Sequence, residues 1–324
     1  MPTAQRHYSL DYLRCACILY LMGFWHLFEY TGIARADFNN DFTRRGATIV
    51  LALFVLISGF LCGGRGIGSA AELGRYYVGR FWRLYPPFVL ASLLFWVFKL
   101  EQPDRLLRGV ALISMFTTDA PRTLWFIDML VMFYAIAPLF LWVRQRLWAC
   151  LGVMIAVLAA AGAYGLLTHL LDWRLFLFLP CFVAGILLAQ KTPKLTWTLG
   201  VVLILLWCLS AWLTTFIPFE DLRDSPLQIP LGLVSAIGLF LVVYGLTDRL
   251  KTPGIVSVIS YSSYFMYLYH RPLYETAAGL LHGVSVPVRT VILIGICVPI
   301  LIGIAYLLQT AYDRMIKRLM PKTV

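Results

Sequence analysis

The sequence predicts an all-α integral membrane protein, a bundle of about ten transmembrane helices with both the N-terminus and the C-terminus cytoplasmic. Three observations carry that reading. Hydrophobic residues make up 60% of the 324 and charged residues 13%, with a mean hydropathy of +0.80. A soluble domain keeps about a quarter of its residues charged to wet its surface, so lipid is the better solvent for this composition. Apolar runs of bilayer length recur along the chain, and basic residues crowd into alternate connecting segments.

The runs fall, in order, at 11–30, 47–63, 85–99, 124–143, 147–166, 174–190, 195–216, 228–246, 254–273 and 288–309. The first stays apolar from about Tyr12 to Tyr30 with no small-residue cleavage site after it, which marks a signal anchor rather than a cleaved leader. Several runs are short for a spanning helix, which predicts tilt and protein-lined irregularity. Segment 101–122 (EQPDRLLRGVALISMFTTDAPR) is half apolar and predicts an amphipathic helix on the outer surface. The acidic stretch FEDLRDSP, 219–226, is the other sizeable outer loop. No soluble domain fits between or after the runs, so 1–324 reads as one polytopic domain. No internal repeat marks a transporter built from inverted halves.

Orientation follows from charge. With the N-terminus inside, the inner segments hold 16 of the 27 basic residues but four of the 16 acids, Asp11, Glu72, Asp248 and Asp313. That asymmetry is the positive-inside pattern. It also accounts for the net charge of +11 without invoking nucleic acid. The seven cysteines lie inside apolar runs, form no CxxC pair and show no metal-ligand spacing, so they read as apolar fillers and no metal site is expected.

Ionisable groups at membrane depth are costly and mark the places to look for chemistry. The first run holds Asp11 and Arg14 at its inner end and His26 and Glu29 towards its outer end. Asp128 lies about one turn into the fourth run, and His270 and Arg271 end the ninth. His26, Glu29, Asp128, His270 and Arg271 thus share an outer depth on three helices. A histidine there can take a proton from a hydroxyl, with a carboxylate holding its tautomer. The plainer alternative makes Asp11–Arg14 an interfacial ion pair and the histidines interfacial hydrogen bonders. On the inner side, Arg75, Arg80 and Arg83 sit among aromatic residues in GGRGIGSAAELGRYYVGRFWRLYPP, 63–87. Guanidinium groups grip phosphate and stack on rings, which suits an anionic cytosolic ligand with a planar base. An ordinary basic loop on anionic lipid is the alternative.

Five segments together resemble the membrane-bound acyltransferase family three, whose members O-acylate surface glycans. They are LDYLR (10–14) followed by His26, FVLISGFL (54–61), RFWRLYPPF (80–88), LWFIDMLVMFYAIAP (124–138) and ISYSSYFMYLYHRPLY (259–274), in the family's order across nearly the whole chain. The resemblance implies ten helices, acyl-CoA as a cytosolic co-substrate with no permanently bound cofactor, and an acceptor hydroxyl on the outer side. It implies His26 as the catalytic histidine and Arg14, Arg80 and Arg83 as groups facing the acyl-CoA. The chain ends soon after the tenth run, which implies no appended hydrolase-like domain. One position departs from the pattern. The family places ten residues between the arginine and the histidine, and here Arg14 and His26 have eleven between them. On a regular helix the extra residue turns the two about 120° apart, whereas one π-bulge absorbs it and restores the phase. A local widening between Cys17 and Trp25, near Gly23, is therefore expected.

The function expected is transfer of an acyl group, acetyl foremost, from acyl-CoA to a hydroxyl of a cell-surface or periplasmic glycan or its lipid-linked precursor, in the inner membrane. His26 would deprotonate the hydroxyl, and Arg75, Arg80 and Arg83 would hold the CoA phosphates. Arg14 and His26 are separated by about 18 Å of helix, a distance an extended pantetheine arm can span. The competing class is a transporter or flippase of glycan precursors. It explains charges and aromatics at membrane depth but gives no reason for the inner arginine cluster.

Overall fold

The computed structural model describes residues 8–64, 66–117, 119–190, 197–216, 226–247 and 250–319. Arg6, Arg65, Lys191, Lys194, Arg249 and Lys322 from the inner basic set, Asp248, and the acidic stretch from 219 to 225 lie outside the described residues. Among the described residues the chain is helical and has no strand.

The helices are α1 (Tyr8–Tyr20), α2 (Arg35–Phe38), α3 (Asp41–Gly63), α4 (Ala70–Val97), α5 (Pro103–Val110), α6 (Trp125–Val143) and α7 (Leu147–Thr168). They continue with α8 (Leu175–Gln190), α9 (Trp197–Thr215), α10 (Gln228–Thr247), α11 (Gly254–Leu280), α12 (Val286–Ile292) and α13 (Val298–Leu319). A π-helical turn, Leu21–Trp25, and a 3-10 turn, Leu27–Tyr30, extend α1, and a second π turn, Leu293–Cys297, joins α12 to α13. Among the described residues, five helical stretches are long and apolar enough to cross a membrane: α3, α6, α7, α10 and the run Val286–Leu319. Shorter apolar stretches lie at Leu175–Gln190 and Thr198–Ser210. The chain is a multi-pass membrane protein.

Three expectations are corrected. The basic stretch before residue 85 is not a loop, because α4 begins at Ala70. Ser69 caps it by accepting from the Glu72 N–H at 3.2 Å, while Glu72 reaches back to the Gly68 N–H at 2.7 Å. No helix breaker then appears before Pro86 and Pro87, which remove donors but leave α4 continuous. The amphipathic helix expected over 101–122 contracts to α5, because the chain turns at Leu112, whose φ is +59°. The α5 arginines answer nearby acids, Arg105 to Glu101 at 3.4 Å and Arg108 to Asp104 at 3.1 Å. Finally, Cys208 is exposed on α9, while the other six cysteines are buried as expected.

The described residues form two compact units, one of 8–54, 197–216 and 226–309, the other of 55–190 and 310–319. In the first, α1 packs on α10 and α11, and α9 packs on α10. Polar pins fix those contacts: Ser9 donates to the Tyr244 carbonyl at 3.1 Å, and Ser260 to Asp11 at 2.7 Å. Ser210 and Ser235 share a buried hydrogen bond of 2.6 Å between α9 and α10.

In the second unit α6 is central, touching α4, α7 and α8. Gly59 and Gly63, four residues apart, let the end of α3 lie directly on α8. A Cβ at Gly59 would come within 2.0 Å of the Phe182 carbonyl oxygen, and one at Gly185 within 2.1 Å of that of Leu56. Such small-residue faces allow apolar helices to approach closely in lipid.

Candidate active site

The first unit gathers four of the five outer-depth residues. His26 follows the π turn, and His270 and Arg271 sit within α11. The His26 and His270 rings stack with centroids 4.8 Å apart and planes 9° from parallel. Both are buried, at 8% and 0% exposure. His270 Nδ1 lies 2.8 Å from the Tyr267 carbonyl oxygen. A carbonyl only accepts, so Nδ1 carries the proton and the Nε2 of a neutral ring is the basic nitrogen. That Nε2 and His26 Nδ1 are buried with no hydrogen-bond partner among the described residues. Buried polar atoms are normally paired, and two orphaned imidazole nitrogens in one stacked pair mark a place built for another polar group.

Arg271 lies beside them at 4% exposure and donates to Glu29 at 2.9 Å and to the Tyr30 hydroxyl at 3.3 Å. The ion pair keeps a cation near the histidines without leaving it uncompensated. One face of α11 presents this set, since His270 and Tyr274 are four residues apart and their rings lie 5.8 Å from each other.

Asp128 belongs to the second unit. At 2% exposure it accepts from the Ser114 hydroxyl through Oδ2, while Oδ1 is buried with no partner among the described residues. Gly109 leaves room for it: a Cβ there would lie 3.2 Å from Oδ2.

The arginine cluster is divided by α4. Arg75 and Arg83 are exposed. Arg80 is half-buried, with its guanidinium carbon 4.3 Å from the Tyr134 ring centroid and 5.7 Å from that of Tyr76. That arrangement is a cation–π embrace. Asp11 and Arg14 lie half-buried on α1, Asp11 with Ser260 as a donor.

A family model described as an acyltransferase domain, family three, matches residues 7–309. The chain belongs to that family. As a family-three protein it is a membrane acyltransferase, in agreement with the resemblance read from the five motifs. No curated protein and no solved structure matches it significantly.

The expected widening of the first helix is present. The π turn Leu21–Trp25 contains Gly23, and the His26 N–H donates to the Leu21 carbonyl at 2.8 Å, an i→i+5 bond. The glycine itself relieves no crowding there, because a Cβ at Gly23 would meet nothing within 4 Å. A missing side chain is not what makes room.

Sequence reasoning passed over Tyr274, which donates to the Met22 carbonyl at 2.9 Å, and Ser114 beside Asp128. Tyr274 carried a readable signal, its four-residue spacing from His270. Ser114 carried none, being a common residue in a connecting segment.

Proposed function

We propose that this acyltransferase moves an acyl group, acetyl foremost, from acyl-CoA to a hydroxyl of a cell-surface or periplasmic glycan or its lipid-linked precursor. It would do so in the inner membrane, from a ten-span fold with both termini cytoplasmic. The observation that carries the chemistry is the stacked His26–His270 pair with its two orphaned ring nitrogens.

A thioester is already activated, so the protein must supply a base, a place for developing negative charge and a hold on both substrates. His26 takes the proton of the acceptor hydroxyl as the oxygen attacks the acyl carbon. A C–O bond forms, the C–S bond breaks, and the CoA thiolate receives the proton from His26. His270, with its tautomer fixed by Tyr267, braces the His26 ring from one face. Two cations stacked face to face would repel, so the neutral pair takes up one added proton at a time. Arg271 adds positive charge where the oxyanion develops. Arg14, on the His26 helix, and the exposed Arg75 and Arg83 are the proposed contacts for CoA. Arg80, embraced by two rings, shapes that segment as much as it binds.

The test is purified protein in lipid, acetyl-CoA radiolabelled in the acetyl group, and a lipid-linked glycan extract. CoA release matched by label in the glycan supports the proposal, and the Arg75→Ala/Arg83→Ala double variant should then raise the donor KM about tenfold or more. Movement of glycan across the membrane with no label attached would instead make the protein a carrier.

A further inference from the structure

The π turn leaves a carbonyl without its helical donor. In a regular α-helix the Met22 oxygen would accept from the His26 N–H, four residues on. Here that N–H goes to Leu21 instead. Met22 is fully buried, where an unanswered carbonyl has no water to turn to. The Tyr274 hydroxyl fills the gap at 2.9 Å, from a side chain that is itself 0% exposed.

We infer that Tyr274 is a positioning residue, which holds the π turn of the first helix open and thereby keeps His26 stacked on His270. This rests on the acyl-transfer reading above. The dependence is mutual. If the turn reverted to an α-helical ladder, the Met22 oxygen would be taken by the helix and the Tyr274 hydroxyl would be buried with no acceptor. Residues on one side of the reverted turn would then swing about 100° relative to the other, which separates His26 from either His270 or the rest of the α1 face. The Tyr274 ring is also in contact with both neighbours that matter. Its centroid is 5.8 Å from that of His270 and 5.7 Å from that of Tyr30, which accepts from Arg271. One side chain therefore touches the turn, the second histidine and the ion pair.

The test compares Tyr274→Phe in two backgrounds, the natural chain and one with Gly23 deleted. Deletion removes the extra residue, so a regular helix keeps the phase and Met22 finds a backbone donor. Two readouts are taken, the first from every protein and the second from the two chains that keep Gly23. One is the kcat and donor KM of transfer. The other is the Met22 carbonyl resonance, which labelling with carbonyl-13C methionine and 15N glycine isolates because Met22–Gly23 is the one Met-Gly pair in the sequence.

In the natural chain, Tyr274→Phe should shift that resonance and lower kcat about 10- to 100-fold, the scale of a misplaced catalytic group, with donor KM unchanged. In the deleted chain the same substitution should change kcat less than about twofold, because no orphaned carbonyl remains to be answered. A resonance that does not move shows that Tyr274 does not hold Met22, and overturns the inference. A shifted resonance with unchanged kcat, or an equal loss in both backgrounds, overturns it too, since the tyrosine would then be structural only. Failure of the wild type to transfer any acyl group would sink the functional reading instead, and the resonance would still decide whether Tyr274 holds the turn.

Discussion

Helices in both units contain gaps in their hydrogen-bond ladders, and two of the second unit compare usefully with one of the first. In the second unit the cause is proline. Pro138 has no N–H for the Tyr134 carbonyl, and the Tyr76 hydroxyl donates to that oxygen at 3.0 Å. Pro86 likewise deprives Trp82, whose carbonyl is answered by the Tyr312 hydroxyl. The first unit has a proline of its own in α11, Pro272, but the gap in its first helix comes from one extra residue, and there the Met22 carbonyl is answered by Tyr274. The remedy is the same in each case, a tyrosine hydroxyl from another helix. In lipid this is a necessity, because no water is at hand to satisfy an exposed carbonyl. The purposes differ. The proline gaps join helices, whereas the π turn sets the direction of a histidine.

That contrast predicts a difference in kind between superficially equivalent substitutions. Tyr76→Phe should cost about 1–3 kcal/mol of stability by orphaning the Tyr134 carbonyl, measured as reduced thermal stability in detergent, and should leave kcat within about twofold of wild type. Pro138→Ala restores the missing N–H, so adding it to Tyr76→Phe should recover most of the loss. A kcat that falls as steeply in Tyr76→Phe as in Tyr274→Phe would erase the distinction between the proline gap and the π turn. The smallest effect is expected at Gly23. A Cβ there meets nothing within 4 Å, so Gly23→Ala should be neutral or stabilising by up to about 1 kcal/mol, with unchanged transfer. Substantial loss of activity in that variant would mean that the π turn needs glycine after all.

The sequence showed some of this more readily than the rest. Prolines announce their gaps, because the missing donor is a property of the residue. The tyrosine that answers each gap is not announced, since Tyr76 and Tyr134 are 58 positions apart, and Tyr312 and Trp82 are 230 apart. The π turn has no residue signature and came into view through the extra residue between Arg14 and His26. His26, Glu29, His270 and Arg271, singled out as ionisable groups in apolar runs, come together in the first unit, and charge in such runs is rare enough to stand out. Asp128, singled out in the same way, lies in the second unit with Ser114 as its donor. The arginine cluster was visible as composition. That Arg80 lies against two rings while Arg75 and Arg83 face outward depended on α4 being helical there, and the run of basic residues concealed this.

The central claim, that the stacked histidines perform the proton transfer with His26 as the base, is tested most directly by single-turnover transfer from labelled acetyl-CoA by His26→Ala and His270→Ala. Both proteins are first shown to be inserted and to bind the donor. His26→Ala should transfer no label above background, a loss of about 100-fold or more. His270→Ala should retain a reduced but measurable rate, because His26 loses its brace but keeps its lone pair. An active His26→Ala beside an inactive His270→Ala would contradict the account and pass the base to His270.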